Sequence, residues 1–322
     1  QWNEAIAALE RSVALEPKVG EHRFNLALTY YQRRRYREAN EALLTAEPLL
    51  AEPRRVRVQR ARACQAMCDW DGLAALMPDI EREVAAAKQG EKSFLTAFGA
   101  LSLPLAQDAR SAIARQQSRE IVANVLRLHP AGAFEHDPRP TGGDRRIRLG
   151  YISTDFRDHA IGHLVAGLFT RHARARFEVI GYSLAPDDGS PWRQRIEAGF
   201  DRLVDLQTQG DVEAATAIRD DEIDILIDLN GLTALSRPEI LALRPAPVQA
   251  TWTGTPGTTG APFFDYVLTD PVATPPDMQP HYEERFCYLP GCYYPYDHDT
   301  AIASRAPTRA EEGLPENAVV LA

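Results

Sequence analysis

The chain has 322 residues, of which 44% are hydrophobic and 25% are charged, proportions that are ordinary for a globular protein of about two domains. Its formal net charge of −9 argues against binding to nucleic acid or to an anionic membrane, because both partners favour a basic surface. No apolar run approaches the ~20 residues that a membrane-spanning helix needs, and no signal peptide opens the chain, so a cytoplasmic protein is expected.

Residues 1–83 repeat a pattern of large and small side chains at an interval of 34 residues. The recurring positions are Trp2, Tyr36 and Trp70; Ala5 and Ala39; and Leu9, Leu43 and Met77. This interval is typical of tetratricopeptide repeats, which are helix pairs that must stack because a single pair cannot bury its apolar face. Trp2 occupies the place of Tyr36 in the second helix of a pair, so we expect the chain to begin inside a repeat.

The four cysteines do not follow a metal-binding or disulfide pattern. Cys64 and Cys68 lie four residues apart within a helical pattern, whereas Cys287 and Cys292 stand far along the chain. A zinc site normally combines one closely spaced Cys pair with a second pair of ligands. We therefore expect neither a metal nor a disulfide.

The repeat pattern is followed by two connecting segments. Residues 84–128 remain helical in pattern but lose the 34-residue register, which predicts connecting or capping helices. Residues 129–146 contain three prolines, three glycines and many charges, a composition that predicts a linker.

Short, apolar and β-branched segments alternate with helix-like segments in residues 147–314. The predicted strands are 146–154, 177–184, 224–230, 248–254 and 265–270, and the predicted helices are 163–173, 190–200 and 211–221. Strands that are apolar on both faces predict a parallel sheet covered by helices, as in a Rossmann-like domain. Residues 315–322 resemble a turn and a further strand, which we expect to begin a second lobe.

Three loops follow predicted strands and are rich in Gly, Ser, Thr or Asn. They comprise residues 153–163, 228–233 and 254–262. Ligands of parallel α/β sheets gather at the carboxyl ends of the strands, and the backbone of small polar residues can approach a ligand closely. These loops are therefore expected to form the rim of one pocket.

Several of these segments together resemble the protein O-GlcNAc transferases. The motifs are "RIRLGYISTDFRDHAIGHL", "IDILIDLNGLT" and "LRPAPVQATWTGTPGTTGAPFFDYVLTD", preceded by the tetratricopeptide pattern. Within that group the chain is similar to bacterial members, near the branch that contains the plant SPINDLY O-fucosyltransferases. The resemblance implies the N-terminal lobe of a two-lobed GT-B glycosyltransferase, whose second lobe holds most of the sugar nucleotide. We therefore expect these 322 residues alone to be inactive.

The resemblance also implies a reaction. N-acetylglucosamine would move from UDP-GlcNAc to Ser or Thr hydroxyls of proteins, with inversion at the anomeric carbon and without a metal or other cofactor. The repeats would recruit the protein acceptors. Two alternatives stay open, which are a SPINDLY-like O-fucosyltransferase that uses GDP-fucose and a non-catalytic tetratricopeptide scaffold that binds peptides.

Among the residues of the motifs, His159 matches the family's active-site histidine. Its imidazole can accept a proton or form hydrogen bonds as charge develops, and its role as general base is left open. The residues predicted to bind substrate are Ile161, Gly162, Asp228, Asn230, Gly231, Pro256, Gly257, Thr258 and Thr259. Asp228 and Asn230 could orient His159 or the acceptor peptide, or could simply form a turn, because Asn-Gly is a common turn dipeptide.

His163 stands four residues after His159, so the pair could share a helix face. No carboxylate pattern supports a metal there, and packing at the helix is the favoured interpretation. The stretch Asp187-Asp188-Gly189 predicts a turn before a helix.

Two positions depart from the animal enzymes of the family. Those enzymes have proline where this chain has Ala160, and a second histidine where it has Asp224. Bacterial and SPINDLY-like sequences vary at both places, so His159 keeps its assignment, while the choice between UDP-GlcNAc and GDP-fucose stays open.

Overall fold

The computed structural model describes residues 2–136, 145–297, 299 and 304–320. The first part of the chain is helical. Its helices are α1 (Trp2–Leu15), α2 (Gly20–Gln32), α3 (Tyr36–Ala46), α4 (Pro53–Met67), α5 (Trp70–Gln89), α6 (Ala97–Ala100) and α7 (Gln107–Leu128), with a short 3-10 helix at Glu47–Leu49. Among the described helices, none is both long and apolar enough to cross a membrane.

The predicted 34-residue interval reappears in the helix boundaries. Helices α3 and α5 begin 34 residues apart, at Tyr36 and Trp70, and each helix from α1 to α5 packs against the next. Ala27 in α2 and Ala39 in α3 are at most 1% exposed, because neighbouring helices approach closely at these small side chains. The periodicity therefore marks both the helix starts and the close helix contacts.

The boundary predicted between residues 83 and 84 falls inside α5, which continues to Gln89. Ile80 and Ala87 are both at most 1% exposed, so the buried face of the helix extends across the predicted boundary. The fading of the 34-residue register marks a change in the side-chain pattern, and the helix continues through it.

Helix α7 joins the helical part to the α/β part. Its residues Ile121 and Val125 belong to the same buried cluster as Ile180 of the sheet. The Ser118 hydroxyl donates a hydrogen bond to the carbonyl oxygen of Thr259 at 2.8 Å. The predicted connecting helices thus pack directly on the α/β part.

The described residues of the predicted linker contain no helix, and they contact the loop after α11. The Phe134 amide donates to the carbonyl oxygen of Leu243 at 2.8 Å, and Nε2 of His136 lies 2.7 Å from the carbonyl oxygen of Arg244. Residues 137–144 of the predicted linker lie outside the described part of the chain.

The α/β part is built on a parallel sheet of seven strands in the order β3-β2-β1-β4-β5-β6-β7. The strands are β1 (Ile147–Ser153), β2 (Phe177–Ser183), β3 (Arg202–Asp205), β4 (Ile225–Asp228), β5 (Val248–Thr251), β6 (Tyr266–Thr269) and β7 (Arg285–Tyr288). The five predicted strands are all present, and the prediction of a parallel, Rossmann-like layer is confirmed.

The sequence pattern missed the two edge strands, β3 and β7. In each of them the two end residues are exposed and the two middle residues only partly buried. An edge strand pairs on one side only and is covered less by helices, so its sequence lacks the continuous apolar run of a central strand.

Helices and 3-10 segments cover both faces of the sheet. They are α8 (Ala160–Val165), α9 (Pro191–Ala198), α10 (Asp211–Asp220), α11 (Pro238–Ala242), and the 3-10 segments Phe169–Arg171 and Pro276–His281. One buried cluster joins α7, α10 and α11 to Ile152 and Leu226, and the other joins α8 and α9 to Tyr151 and Ile227. Adjacent residues of β1 and β4 therefore face opposite layers, as the pleat of a strand requires.

Two predicted elements are wrong in their extent. The helix expected at 163–173 begins earlier, at Ala160, and ends at Val165. Gly167, which follows this helix, lies against the side chain of Asp297. A Cβ at residue 167 would lie 2.4 Å from Oδ1 of Asp297, so no larger residue fits there. The described residues 304–320 are all exposed and contain no strand. The strand predicted in 315–322 is therefore not found up to residue 320.

Candidate active site

The three predicted loops meet at the carboxyl edge of the sheet because the strands that precede them are neighbours. Strand β1 pairs with β4, and β4 pairs with β5, all in parallel. The loops that follow these strands are the first (153–163), second (228–233) and third (254–262) loops, and they therefore leave the same edge side by side.

The first and second loops are joined by Asn230, which is 1% exposed. Its side-chain oxygen accepts the Thr154 amide at 2.8 Å, and its nitrogen donates to the Thr154 hydroxyl at 2.9 Å and to Oδ2 of Asp155 at 2.8 Å. One buried amide thus satisfies three polar groups of the first loop, which fixes that loop against the second.

The second and third loops are joined by hydrogen bonds of Thr255, and Gly254 allows their backbones to approach closely. The Thr255 hydroxyl accepts from the Leu232 amide at 2.8 Å and donates to the carbonyl oxygen of Asn230 at 3.2 Å. A Cβ on Gly254 would lie 2.4 Å from that same carbonyl oxygen, so only glycine allows this approach. The three loops are therefore adjacent and joined, while their forming the rim of one pocket stays a prediction.

His159 stands at the N-terminal end of α8 with extended backbone. Its Nδ1 lies 3.3 Å from the Ile161 amide nitrogen and 3.5 Å from Oδ1 of Asp155. The His159 side chain is 39% exposed, whereas that of Asp155 is 9% exposed. The imidazole is thus partly open to solvent and backed by a buried carboxyl group.

The loop that carries His159 is held by residues that the sequence pattern did not single out for the site. Nη1 of the buried Arg193 donates to the carbonyl oxygen of Phe156 at 3.3 Å and to the Ser183 hydroxyl at 2.9 Å. The carboxylate of Asp188 accepts the Asp158 amide at 2.8 Å, and this bond lowers the pKa of Asp188. Asp188 lies in the turn predicted at 187–189, so that turn also supports the site.

The predicted substrate residues Ile161 and Gly162 support the first loop from α8. Ile161 packs against the apolar cluster beneath α8, and its amide is directed at His159. Gly162 is buried, and a Cβ there would lie 2.1 Å from the carbonyl oxygen of Arg157. The structure therefore places both residues against the first loop, whose shape they support.

Asp228 and Gly231 form the turn that the sequence left as an alternative. The Asp228 carboxyl group is buried and accepts the backbone amides of Asn230 and Gly231. Burial raises the pKa of Asp228 from 3.8 to about 7, although these two amides act in the opposite direction. Asp228 therefore stabilises the turn, while Asn230 connects the turn to Asp155 beside His159.

We expect the free energy of unfolding of the wild-type protein to fall with rising pH relative to that of an Asp228→Asn variant. The folded state holds a proton on Asp228 that the unfolded chain releases near pH 3.8, so this stability is complete below that pH and is lost as the pH rises through about 7. At roughly 1.4 kcal/mol per pKa unit, the relative loss between about pH 5 and about pH 8 is 2–3 kcal/mol. Chemical denaturation at both pH values measures it.

Asp71→Asn is the control for this measurement, because Asp71 is exposed in the first turn of α5. Its stability should follow the wild-type pH dependence. If Asp228→Asn also ran parallel to the wild type, a raised Asp228 pKa would be excluded.

The third loop divides its predicted site residues between two environments. Pro256 and Gly257 line a cavity of about 140 Å³ at the carboxyl ends of β5 and β6. Thr258 and Thr259 are buried, and both of their hydroxyl groups donate to the interior carboxylate of Glu284. Thr258 and Thr259 were predicted to bind substrate, but their hydroxyl groups are directed into the protein. Glu284 is buried, and a buried carboxylate is costly without hydrogen-bond donors such as these.

His163 packs on a neighbouring helix, as the favoured interpretation predicts. Its ring lies 4.2 Å from that of Trp192, and its Nε2 lies 2.7 Å from Oδ1 of Asp158. Within residues 2–136, 145–297, 299 and 304–320, no group of three or more His, Cys, Asp or Glu residues is placed to hold a metal ion. The four cysteines are free.

The two departures from the animal enzymes differ in their relation to this site. Ala160 is the first residue of α8, a position where proline is also well tolerated, so the exchange is structurally neutral. Asp224 precedes β4 and binds the Arg145 guanidinium at 2.7 and 3.0 Å. It lies at the amino end of the strand, roughly 13 Å from Asp228 at ~3.3 Å per residue, and so outside the rim formed by the three loops.

Comparison with known proteins places this geometry in a family. The profile of glycosyl transferase family 41 matches residues 67–320. The chain is 34% identical over 272 residues to an Arabidopsis thaliana protein named probable UDP-N-acetylglucosamine–peptide N-acetylglucosaminyltransferase SEC, covering 80% of this chain and 27% of that protein. It is 33% identical over 241 residues to the UDP-N-acetylglucosamine–peptide N-acetylglucosaminyltransferase of Caenorhabditis elegans, covering 73% of this chain and 21% of that protein.

A solved structure is also similar. A mutant of the Thermobaculum terrenum O-GlcNAc transferase superposes with a TM-score of 0.66 at 26% sequence identity, covering 91% of this chain and 55% of that chain. The chain spans about a quarter of the length of the two curated relatives. The family match includes all three loops of the site and most of the described residues. The chain belongs to glycosyl transferase family 41.

Proposed function

We propose that the protein transfers N-acetylglucosamine from UDP-GlcNAc to Ser or Thr hydroxyl groups of proteins. The observation that carries the proposal is the position of His159, which is partly exposed on a loop that Asn230 fastens to the neighbouring glycine-bearing loops. Membership of family 41 supports it, as do the names of the SEC and C. elegans relatives, which are peptide N-acetylglucosaminyltransferases.

The proposed reaction is an inverting displacement. The acceptor hydroxyl oxygen forms a bond to the anomeric carbon, the bond from that carbon to the phosphate oxygen breaks, and the nucleoside diphosphate leaves with the electron pair. The hydroxyl proton must pass to a base as the new bond forms. A neutral imidazole at His159 can accept this proton or donate a hydrogen bond, and such help is worth roughly 10²–10⁴-fold in rate.

The proposal includes the finer architecture expected from the sequence. Helices α1 to α5 would be tetratricopeptide repeats, the sheet with its helices would be the first lobe of a GT-B fold, and a second lobe would hold most of the nucleotide. The starts of α3 and α5 at Tyr36 and Trp70, 34 residues apart, support the repeat assignment. The parallel sheet and the position of the site at its carboxyl edge support the GT-B lobe.

A groove between the helical part and the third loop supports acceptor binding by the repeats. It has a volume of about 690 Å³ and is lined by Tyr31, Arg62, Trp70 and Phe98 together with Pro256. Trp70 is 61% exposed and Phe98 is 46% exposed, so both can contact a polypeptide. Pro256 also borders the cavity at the end of the sheet, so the groove leads towards the site.

The absence of a metal requirement and a cytoplasmic location are further parts of the proposal. Charge on the leaving diphosphate would then be balanced by protein groups. Free cysteines, as found at all four positions, are usual in a reducing compartment.

The test is a transfer assay with the intact protein, peptide acceptors and either UDP-GlcNAc or GDP-fucose, read by mass spectrometry. We expect transfer of N-acetylglucosamine and no loss of activity in EDTA. Transfer of fucose alone would instead assign a SPINDLY-like activity. No transfer from either donor would favour the non-catalytic scaffold, and loss of activity on chelation would contradict the metal-independent mechanism.

A further inference from the structure

Two groups of opposite hydrogen-bonding character approach the same nitrogen of His159. The Ile161 amide donates a hydrogen bond to Nδ1 at 3.3 Å, and Oδ1 of Asp155, an acceptor, lies 3.5 Å from the same nitrogen. A neutral imidazole carries its proton on one nitrogen only. The amide favours a lone pair on Nδ1, whereas the carboxylate favours a proton there. The outcome of this competition determines whether Nε2 carries the proton or the lone pair.

Asp155 is arranged to act as a fixed, charged acceptor. It is 6% exposed, its Oδ2 accepts from the Asn230 side chain at 2.8 Å, and its Oδ1 lies 3.4 Å from Nη2 of Arg157. Its own amide donates to the Ser153 hydroxyl at 2.9 Å. These contacts hold both the backbone and the carboxyl group of Asp155. The side-chain groups named here beside its carboxyl oxygens, from Asn230 and Arg157, are both hydrogen-bond donors.

The orientation of Asn230 follows from the same network. Its side-chain oxygen accepts the Thr154 amide at 2.8 Å, so its nitrogen must face Thr154 Oγ1 and Asp155. The reverse orientation would place the amide oxygen against the carboxylate and the amide nitrogen against a backbone N–H, and both contacts are repulsive. Asn230 therefore donates to Oδ2 of Asp155. The other oxygen of that carboxylate, Oδ1 of Asp155, is left facing His159.

We propose that Asp155, held by Asn230, is a positioning residue that keeps the proton of neutral His159 on Nδ1 and leaves a lone pair on Nε2. Hydrogen bonds to a charged acceptor are roughly twice as strong as neutral ones, so we expect the carboxylate to outcompete the Ile161 amide that donates to Nδ1 in this structure. In the transfer reaction, on whose assignment this part rests, Nε2 then takes the acceptor hydroxyl proton. Asp155 stabilises the imidazolium that forms.

The first arm of the test reads the tautomer without any reaction. We expect ¹⁵N spectra of the histidine-labelled protein, recorded well above the ordinary imidazole pKa of ~6.5, to show His159 protonated at Nδ1. The His159 signals are assigned by their absence in His159→Gln. In Asp155→Asn the proton should move to Nε2. Asp158→Asn is the matched control, because Asp158 contacts His163, and it should leave the His159 tautomer unchanged.

The second arm measures turnover in the intact protein. Asp155→Asn should lower kcat by about 10-fold or more, as expected for loss of acid–base help, and should leave KM for the sugar nucleotide within about twofold. A role in folding alone would reduce the amount of active protein without changing the tautomer of the folded fraction.

The outcomes separate the two proposals. A wild-type His159 protonated at Nε2 overturns the positioning role whatever the activity, and this result does not require an Asp155 variant to fold. A reversed tautomer in Asp155→Asn with unchanged kcat overturns its part in the reaction. The expected tautomer in a protein that transfers no sugar supports the Asp155–His159 arrangement and overturns the transferase function.

Discussion

Replacement of His159 by alanine in the intact protein should lower the rate of sugar transfer by roughly 10-fold or more, within the range for acid–base groups. His159 is the histidine of the first loop whose ring is backed by the buried Asp155, and its side chain is 39% exposed. The variant removes the imidazole without creating a clash, so folding should be retained. Initial rates with saturating UDP-GlcNAc, together with a thermal melt, measure both effects.

His163→Ala is the matched control for this variant. His163 lies on the same short helix, but it stacks on Trp192 and contacts Asp158, so its loss should cost some stability and change the rate by less than about threefold, well below the effect of a lost acid–base group. Equal losses for the two histidines would instead indicate a joint role. Full activity of His159→Ala would refute the assignment of the active site.

Gly162→Ala should destabilise the protein by about 2–3 kcal/mol, as is typical of overpacking in a tightly packed region. The added Cβ would lie 2.1 Å from the carbonyl oxygen of Arg157 and 2.9 Å from that of Asp155. Both atoms belong to backbone that Arg193, Asp188 and Asn230 hold in place, so the loop cannot move away without losing hydrogen bonds. Denaturant unfolding gives the free-energy difference.

Gly210→Ala provides a comparison with open surroundings. Gly210 precedes α10 with a negative φ, and the nearest atom to an added Cβ would be 3.7 Å away. Its replacement should cost less than about 1 kcal/mol, the usual range for a change at a helix N-cap. If both variants lost the same stability, close packing at Gly162 would not be the cause, and the first loop would be less tightly held than its contacts indicate.

The central strands could be predicted because each one carries its own signal. Strands β1 and β2 are buried on both faces and read as apolar runs without reference to anything distant in the chain. The edge strands β3 and β7 have a single neighbour each and are less buried, and both properties belong to the assembled sheet. The end of α5 also depends on the assembled fold. Its buried face continues to Ala87, beyond the residues that follow the 34-residue pattern.

The site divides in a similar way. His159 and the three loops could be named from motifs and from the rule that ligands gather at the carboxyl edge of a parallel sheet. The direction of each side chain could not. Thr258 and Thr259 lie in a loop that borders the site, yet Glu284, 25 residues further along the chain from Thr259, draws their hydroxyl groups inward.

Asp155 shows both sides of this division. It stands four residues before His159 in the printed sequence, a spacing that could have suggested a contact. What makes it a fixed acceptor is Asn230, 75 residues away, whose amide reaches it because β1 and β4 are adjacent in the sheet. Local periodicity and motif chemistry thus established the helix pairs, the parallel sheet and the family resemblance, since these depend on neighbours in the chain. The contacts that orient the imidazole depend on strand order and packing, and they arise only when distant segments are brought together by the fold.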